Sequence, residues 1–394
     1  MGTSVYNSAV MMYQQQEVKI TGLDMSSAFD TIDREELMGI LETILEEDEV
    51  RMCRLLLSNT SMKLRFGSEC EETIQTNKGA PQGDAISGIF FNITFENALR
   101  DLRAELNKAS PYIEHSYSKL SHLPQEMVYA DDSDFPTEDN NRDINVQKIA
   151  NPVLSNHSLK VNDDKWEKTQ IRRGKTKAEE SEWRSTKKLG SLLGDYEDMK
   201  RRIQLSYAAM DSLEKIWPRK KVHIKQKLKL YKTIVKSVLM YNSCTWGLTK
   251  AQTEEIDRAH RRQLRIVWND MNKKNKQLYE ESNENPISET IKRARWRAFG
   301  HMLRLNEQVP CQQAMYYFTV PEKARKYPGR KRSTLPVILD EDIKQAAKSN
   351  HTLPISQLED INDLCKLKRL AGDREEWRKI SSLICNNAED NYCL

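Results

Sequence analysis

Short apolar runs and alternating stretches dominate the first half of the chain, and three-and-four spacing takes over in the second. Val18-Lys19-Ile20-Thr21-Gly22-Leu23-Asp24-Met25 is too brief for a helix and reads as a buried strand. From Thr31 to Leu45 the apolar positions Leu37, Ile40, Leu41, Ile44 and Leu45 fall on one helical face, and Glu49 to Leu57 predicts a second helix. Met62, Leu64 and Phe66, followed by Thr73-Ile74-Gln75-Thr76, alternate as a hairpin does. The loop Lys78 to Gly83 then opens a helix that begins at Asp84 and passes Leu99. Met127-Val128-Tyr129-Ala130 is a further short strand ending at Asp131-Asp132. A polar helix over Arg142–Asn156 follows, then the strand Leu159–Val161 and a tight turn within Leu189-Gly190-Ser191-Leu192-Leu193-Gly194.

Past Asp195 the strand signals fade. Met199–Trp217, Ile224–Leu248 and Thr253–Trp268 are helix-like, residues 286–310 continue so, 321–336 is a basic linker with Pro and Gly, and the tail from Leu339 predicts two more helices. No fixed-period repeat is present. At 394 residues the prior is two or three domains, and 38% hydrophobic residues suffice for a sizeable core.

Charge sharpens this division. Residues 1–165 carry 15 Lys and Arg against 28 Asp and Glu; the rest carry 47 against 30. An acidic module joined to a basic one points to a metal-binding part and a polyanion-binding part, although helix surfaces are often Lys-rich without binding anything. Seven scattered cysteines (53, 70, 244, 311, 365, 385 and 393) form no Cys-x-x-Cys pair, which speaks against a zinc ribbon or a disulfide framework. No run approaches the roughly 18 apolar residues of a membrane span, and no signal segment opens the chain, so an intracellular (nuclear and/or cytoplasmic) setting without membrane contact is expected.

The candidate chemistry sits at strand ends. Asp24 closes the first strand, and Asp131 and Asp132 close the strand at 127–130. Side by side in one sheet, these carboxylates would repel one another. Two Mg²⁺ ions about 3.5–4 Å apart would relieve that and clamp the attacking and leaving oxygens of a phosphoryl transfer. Carboxylate oxygens suit Mg²⁺ better than zinc. An Asp at a strand end is also a common turn residue.

Three ordered motifs weigh against the turn reading. Leu23-Asp24-Met25-Ser26-Ser27-Ala28-Phe29-Asp30 resembles the first palm motif of reverse transcriptases. Gly79-Ala80-Pro81-Gln82-Gly83-Asp84-Ala85-Ile86-Ser87 resembles the second, and Tyr129-Ala130-Asp131-Asp132 the third. Asn162-Asp163-Asp164-Lys165 is similar to the fourth, and Leu189–Gly194 to the primer-grip turn. Leu239–Trp246 and Arg293–Arg304 are similar to segments of non-LTR (LINE-type) retrotransposon polymerases. The resemblance covers roughly 18–335.

It implies an α+β fold: a polymerase palm, meaning a small antiparallel sheet backed by helices, then an all-α thumb and a helical C-terminal extension. The bounds are 1–197 for the palm with residual fingers, 198–270 for the thumb, 271–335 for a basic extension and linker, and 336–394 for the tail. It implies that Asp24 and Asp131 chelate two Mg²⁺ ions (Mn²⁺ as a substitute), with Asp132 and the Met25 carbonyl in support. Phe29 would lie under the incoming sugar and select deoxynucleoside triphosphates. Gln82 would sit near the templating pair, where Gly79 and Gly83 let the backbone approach. Lys165 would be the general acid for pyrophosphate, and Leu189, Gly190, Ser191, Leu192, Leu193 and Gly194 would hold the primer end.

Departures from the family pattern are Trp166, where a small hydroxyl residue is usual, and the polar Ser133; Asp134 is expected to face solvent. Basic residues including Arg201, Arg202, Lys220, Arg258, Arg262 and Arg295 would line a channel along a phosphate backbone. Trp217, Trp246, Trp268 and Trp296 are expected to pack helices, and His301 to be structural. With Asp24 only 23 residues from the start, the resemblance suggests an N-terminally truncated copy lacking fingers and endonuclease. The implied activity is RNA-directed DNA synthesis on an RNA template from a DNA primer; the competing reading is a nucleic-acid-binding remnant. Oligomeric state is not readable.

Overall fold

The computed structural model describes residues 18–66, 70–81, 84–109, 126–137, 140–171, 182–307, 309–319, 333–349 and 353–385. Its strands are β1 (Val18–Leu23), β2 (Met25–Ser26), β3 (Ser61–Phe66), β4 (Cys70–Gln75), β5 (Met127–Tyr129), β6 (Asp132–Thr137), β7 (Lys160–Val161), β8 (Glu167–Ile171), β9 (Lys187–Lys188) and β10 (Ser191–Leu192). Four of them form one antiparallel sheet in the order β5-β6-β1-β8; the others pair as β3-β4, β2-β7 and β9-β10. The expected mixed fold, a small antiparallel sheet with helices behind it followed by helices alone, is what forms.

The run at 18–23 is apolar because β1 is covered on both faces and flanked on both edges, by β6 and β8. Strand β6 is as deeply buried, yet its sequence, Asp-Ser-Asp-Phe-Pro-Thr, carries no strand signal. Pro136 is tolerated there because β5 pairs only with 132–134, so no β5 carbonyl lies opposite its missing N–H.

The helix Asn140–Asn156 packs on β1 and β6, and the helix Ser87–Ala109 packs against it. Phe90, Phe91, Phe95, Leu99, Leu102 and Leu106 form the buried face of the latter. The helix expected over 31–45 is shorter, Arg34–Leu41, because Asp33 caps it by accepting from the Glu35 and Glu36 amides.

The second half is helical throughout the described residues. Asp195–Asp211 leads into a stretch broken at Tyr231–Lys236 by a π-helical turn, then Lys250–Trp268 and Asn275–Ser282. At its centre His260 is fully buried between Tyr231 and Tyr279, with neither ring nitrogen hydrogen-bonded. Burial first, and then the Lys236 and Arg261 charges, push its imidazole down to about 3. Glu284, 3.9 Å away, is already taken by Lys232 and Lys236.

The helix Ile287–Leu303 belongs to two cores: Ile287 and Ile291 pack with Met199, Leu239 and Trp246, while Trp296, Phe299 and Leu303 pack with the C-terminal helices. Among the described residues the tail holds three helices, Leu335–Ser349, Ile361–Gly372 and Arg374–Cys385, rather than two. Trp377 lies so close over Gly300 that an added Cβ would fall 2.0 Å from its Nε1, which donates to the Trp296 carbonyl at 3.1 Å. The basic cluster at 325–332 lies outside the described residues.

Candidate active site

The register of the central sheet decides where the first carboxylate goes. Gly22 pairs with Asp134 and Leu23 with Ser133, and just past that last pair Asp24 and Asp132 line the same cavity, close enough for the Asp24 charge to act on Asp132. Tyr129 pairs with Asp132 across the β5–β6 hairpin, which leaves Ala130 and Asp131 as its two-residue turn, Ala130 in the left-handed region at φ 53°. Asp131 thus sits on the turn directly beside Asp132.

The Asp132 carboxyl is held above the usual carboxylate range, first by burial and then by the charges of Asp131 and Asp134, with Lys188 opposing and Asp24 adding to the rise. Asp24 is half-buried; its Oδ2 lies 3.2 Å from Lys165 Nζ and 3.4 Å from the Asn162 side-chain amide, and its carbonyl accepts from the Asn162 N–H. Asp24, Asp132, Asp134, Lys165, Lys188 and Gly190 line one cavity of about 370 Å³.

The donors around it are carboxylate oxygens, the chemistry that suits a hard divalent cation. The repulsion felt by Asp132 is what such a cation would relieve. Among the described residues, however, no group of three or more His, Cys, Asp or Glu side chains converges closely enough to hold a metal ion.

Asp134 does not face solvent as expected. It is 2% exposed, because it is the partner of a lysine the sequence reading overlooked. Lys188 Nζ lies 2.8 Å from Asp134 Oδ1 and 2.5 Å from Glu167 Oε2. Burial would lower this ammonium's pKa, but the two carboxylates hold it above its ordinary value. Gly22 makes the room: an added Cβ would sit 2.6 Å from Lys188 Nζ. A glycine inside a strand pattern signals such a close approach, and a charged residue between two buried positions demands a partner.

The first and second motifs pack against each other. Gly79 (φ 77°) presses its backbone on the turn after β2, where an added Cβ would lie 2.9 Å from Asp30 Cα and from the Phe29 carbonyl oxygen. Gly79 N–H donates to the Ile32 carbonyl and Ala80 N–H to that of Phe29, both at 2.9 Å. Phe29 is half-buried, and its ring packs on Phe91 with centroids 4.8 Å apart.

A second overlooked residue, Arg34, fastens this loop. Its guanidinium donates to the carbonyls of Gly79 (2.9 Å), Leu57 (2.7 Å), Thr76 (2.8 Å) and Lys78 (3.2 Å) and to Thr60 Oγ1 (2.9 Å). Lone arginines in polar stretches carry no sequence signal for this role. Gln82 and Gly83 lie outside the described residues.

The 189–194 segment is the tip and return of the β9–β10 hairpin, with Leu189 (φ 47°) and Gly190 (φ 78°) as its turn. Its polar backbone is held by the helical half. Tyr241 Oη donates to the Leu189 carbonyl at 2.9 Å, Arg201 to that of Gly190 at 2.8 Å, and Arg202 to Gly190 as well. Asp198 accepts from the Leu192 amide at 2.9 Å and from the Trp246 indole at 3.1 Å. Arg202 is therefore a structural tie rather than a channel residue, and so is Arg295, which is buried against Asp342 at 3.2 Å. Trp217, Trp246 and Trp296 are core residues, as expected.

A hairpin carrying two aspartates, set against a strand that ends in a third and backed by two long helices, is the architecture of a polymerase palm. The sequence comparison agrees. Residues 2–194, just under half of the chain, match the family described as reverse transcriptase (RNA-dependent DNA polymerase). That stretch is a reverse transcriptase domain.

None of the curated proteins matches the sequence. Two solved structures are similar: telomerase from Candida albicans, at 16% identity and TM-score 0.29 over 77% of this chain and 52% of that one, and telomerase from Candida tropicalis, at 14% and 0.36 over 78% and 51%. Both were solved with a TWJ fragment of telomeric RNA. The chain spans about half the length of these structures, and overlaps this loose carry no weight for its function.

Proposed function

We propose that the protein is an RNA-directed DNA polymerase of the non-LTR retrotransposon type, extending a DNA primer on an RNA template with deoxynucleoside triphosphates. The observation that supports this is that Asp24 and Asp132 line one cavity and the Asp24 charge acts on Asp132, with Asp131 next to it on the turn, in a domain of reverse transcriptase sequence. The non-LTR assignment rests on the likeness of Leu239–Trp246 and Arg293–Arg304 to that class. The segments 1–197, 198–270, 271–335 and 336–394 would serve as palm, thumb, basic extension and tail.

Asp24, Asp131 and Asp132 would hold two Mg²⁺ ions, or Mn²⁺ in their place, which when bound would lower the negative charge developing at the transferred phosphorus. The remaining work falls to side chains. Lys165, whose Nζ is 3.2 Å from Asp24 and largely exposed, would give a proton to pyrophosphate. Phe29 would limit the space under the sugar, and the Leu189–Gly194 hairpin would hold the primer terminus.

Primer extension on an RNA template with Mg²⁺ tests this reading. Asp131→Asn, Asp24→Asn and Asp132→Asn should each reduce extension by at least about 10²-fold, the scale of removing a preorganised electrostatic partner, while primer–template binding is kept. Extension by Asp131→Asn at the wild-type rate would overturn the assignment. A wild-type chain that binds primer–template without extending it would leave the remnant reading standing.

A further inference from the structure

Resting on that reading, we propose that Lys188 is a positioning residue that clamps the β9–β10 hairpin to the catalytic strand β6, so that primer terminus and metal-binding carboxylates keep one fixed separation. The clamp is built into the sheet. Asp134 lies two residues after Asp132 on β6, hence on the same face. Asp134, Gly22 and Glu167 form one row across β6, β1 and β8, and the absence of a side chain at Gly22 opens the slot that Lys188 enters from β9.

Lys188 is 8% exposed and spends its ammonium on Asp134 (2.8 Å) and Glu167 (2.5 Å), so it is tied down rather than held ready for a phosphate. Asp24 and Asp132 come just past the Leu23–Ser133 pair at this end of the sheet and line the same cavity as Lys188. At the far side, the hairpin's turn is fastened by Tyr241, Arg201 and Arg202. The hairpin therefore joins the acidic sheet to the helical half, and Lys188 is its charged anchor in the sheet. A lysine entering between two acidic strands also has a geometric consequence: the tip residues Leu189 and Gly190 are brought to the wall of the cavity that holds Asp24 and Asp132.

The test compares wild type, Lys188→Arg, Lys188→Met and the neutral pair Asp134→Asn/Lys188→Met, which avoids leaving Asp134 buried and unpaired. Single-turnover extension is measured from preformed primer–template complexes, alongside equilibrium binding of labelled primer–template and amide hydrogen exchange. The neutral pair should fold, bind primer–template within about 3-fold of wild type and extend about 10- to 100-fold more slowly, the cost of a misplacement near 1 Å. Its amides at 129–134 and 187–192 should lose exchange protection together, and Lys188→Arg should restore part of both signals. A neutral pair that extends at the wild-type rate per bound complex, with unchanged protection at 129–134, would overturn the clamp. If wild type does not extend at all, the polymerase reading fails, and the exchange data alone then judge the clamp: joint loss of protection sustains it and unchanged protection removes it.

Discussion

Replacing Arg34 by alanine removes the fork that gathers the carbonyls of Leu57, Thr76, Lys78 and Gly79 under one side chain. Hydrogen bonds from a charged donor contribute about 1.5–3 kcal/mol each. They share one side chain, and water replaces the one at Lys78, which is exposed. The local loss is therefore about 2–4 kcal/mol rather than the sum.

What loosens is the seat of the loop on the first motif: Gly79 on Ile32, Ala80 on Phe29, and Thr76 on Thr60. At about 1.4 kcal/mol per factor of ten, these amides should exchange with solvent about 30- to 1000-fold faster, read by hydrogen–deuterium exchange with mass spectrometry. Arg34→Lys keeps the charge but not the planar fork, and should recover less than half of the protection. Exchange within about 3-fold of wild type in Arg34→Ala, or full rescue by lysine, would refute the reasoning, since either outcome means that guanidinium geometry does not hold the loop.

Two further outcomes follow from the helical half. His260 titrates near 6.5 when unfolded but near 3 in the fold. The unfolded chain therefore binds the extra proton between those values, and stability should fall by about 2 kcal/mol from pH 6.5 to 5. His260→Phe should flatten that slope in urea melts, and an unchanged slope in the variant would reject the assignment. Gly300→Ala would put a methyl group 2.0 Å from Trp377 Nε1. It should undock the last helix at a cost of about 1–3 kcal/mol of overpacking, offset by at most about 1 kcal/mol of helix propensity, seen as a red shift in tryptophan fluorescence; an unmoved spectrum and melting temperature would count against it.

The strands at 18–23, 127–129 and 160–161 and the hairpins at 61–75 and 187–192 were legible because apolar runs and turn residues mark them locally. The residues of the third motif were legible for the same reason. Strand β6 was not, since three of its first residues are Asp, Ser and Asp and it holds a proline; only pairing with β1 makes it a strand. Arg34 and Lys188 escaped notice because their worth lies in partners tens of residues away, a property that no local spacing encodes. The long helix read at 224–248 was interrupted at Tyr231–Lys236 by a π turn, where Tyr231 turns inward to stack on His260 and bond Gln263. That preference belongs to the tertiary surroundings and leaves the three-and-four pattern unmarked.

The helix Ile287–Leu303 is a single rod driven into two separate apolar masses. Neither mass is whole without it. A chain shortened just beyond this rod would strip Trp296, Phe299 and Leu303 of their cover and leave a greasy flank on an otherwise folded body, the kind of surface that draws molecules into aggregates. The tail's helices thus act as a lid that keeps the protein's own scaffold from sticking to its neighbours.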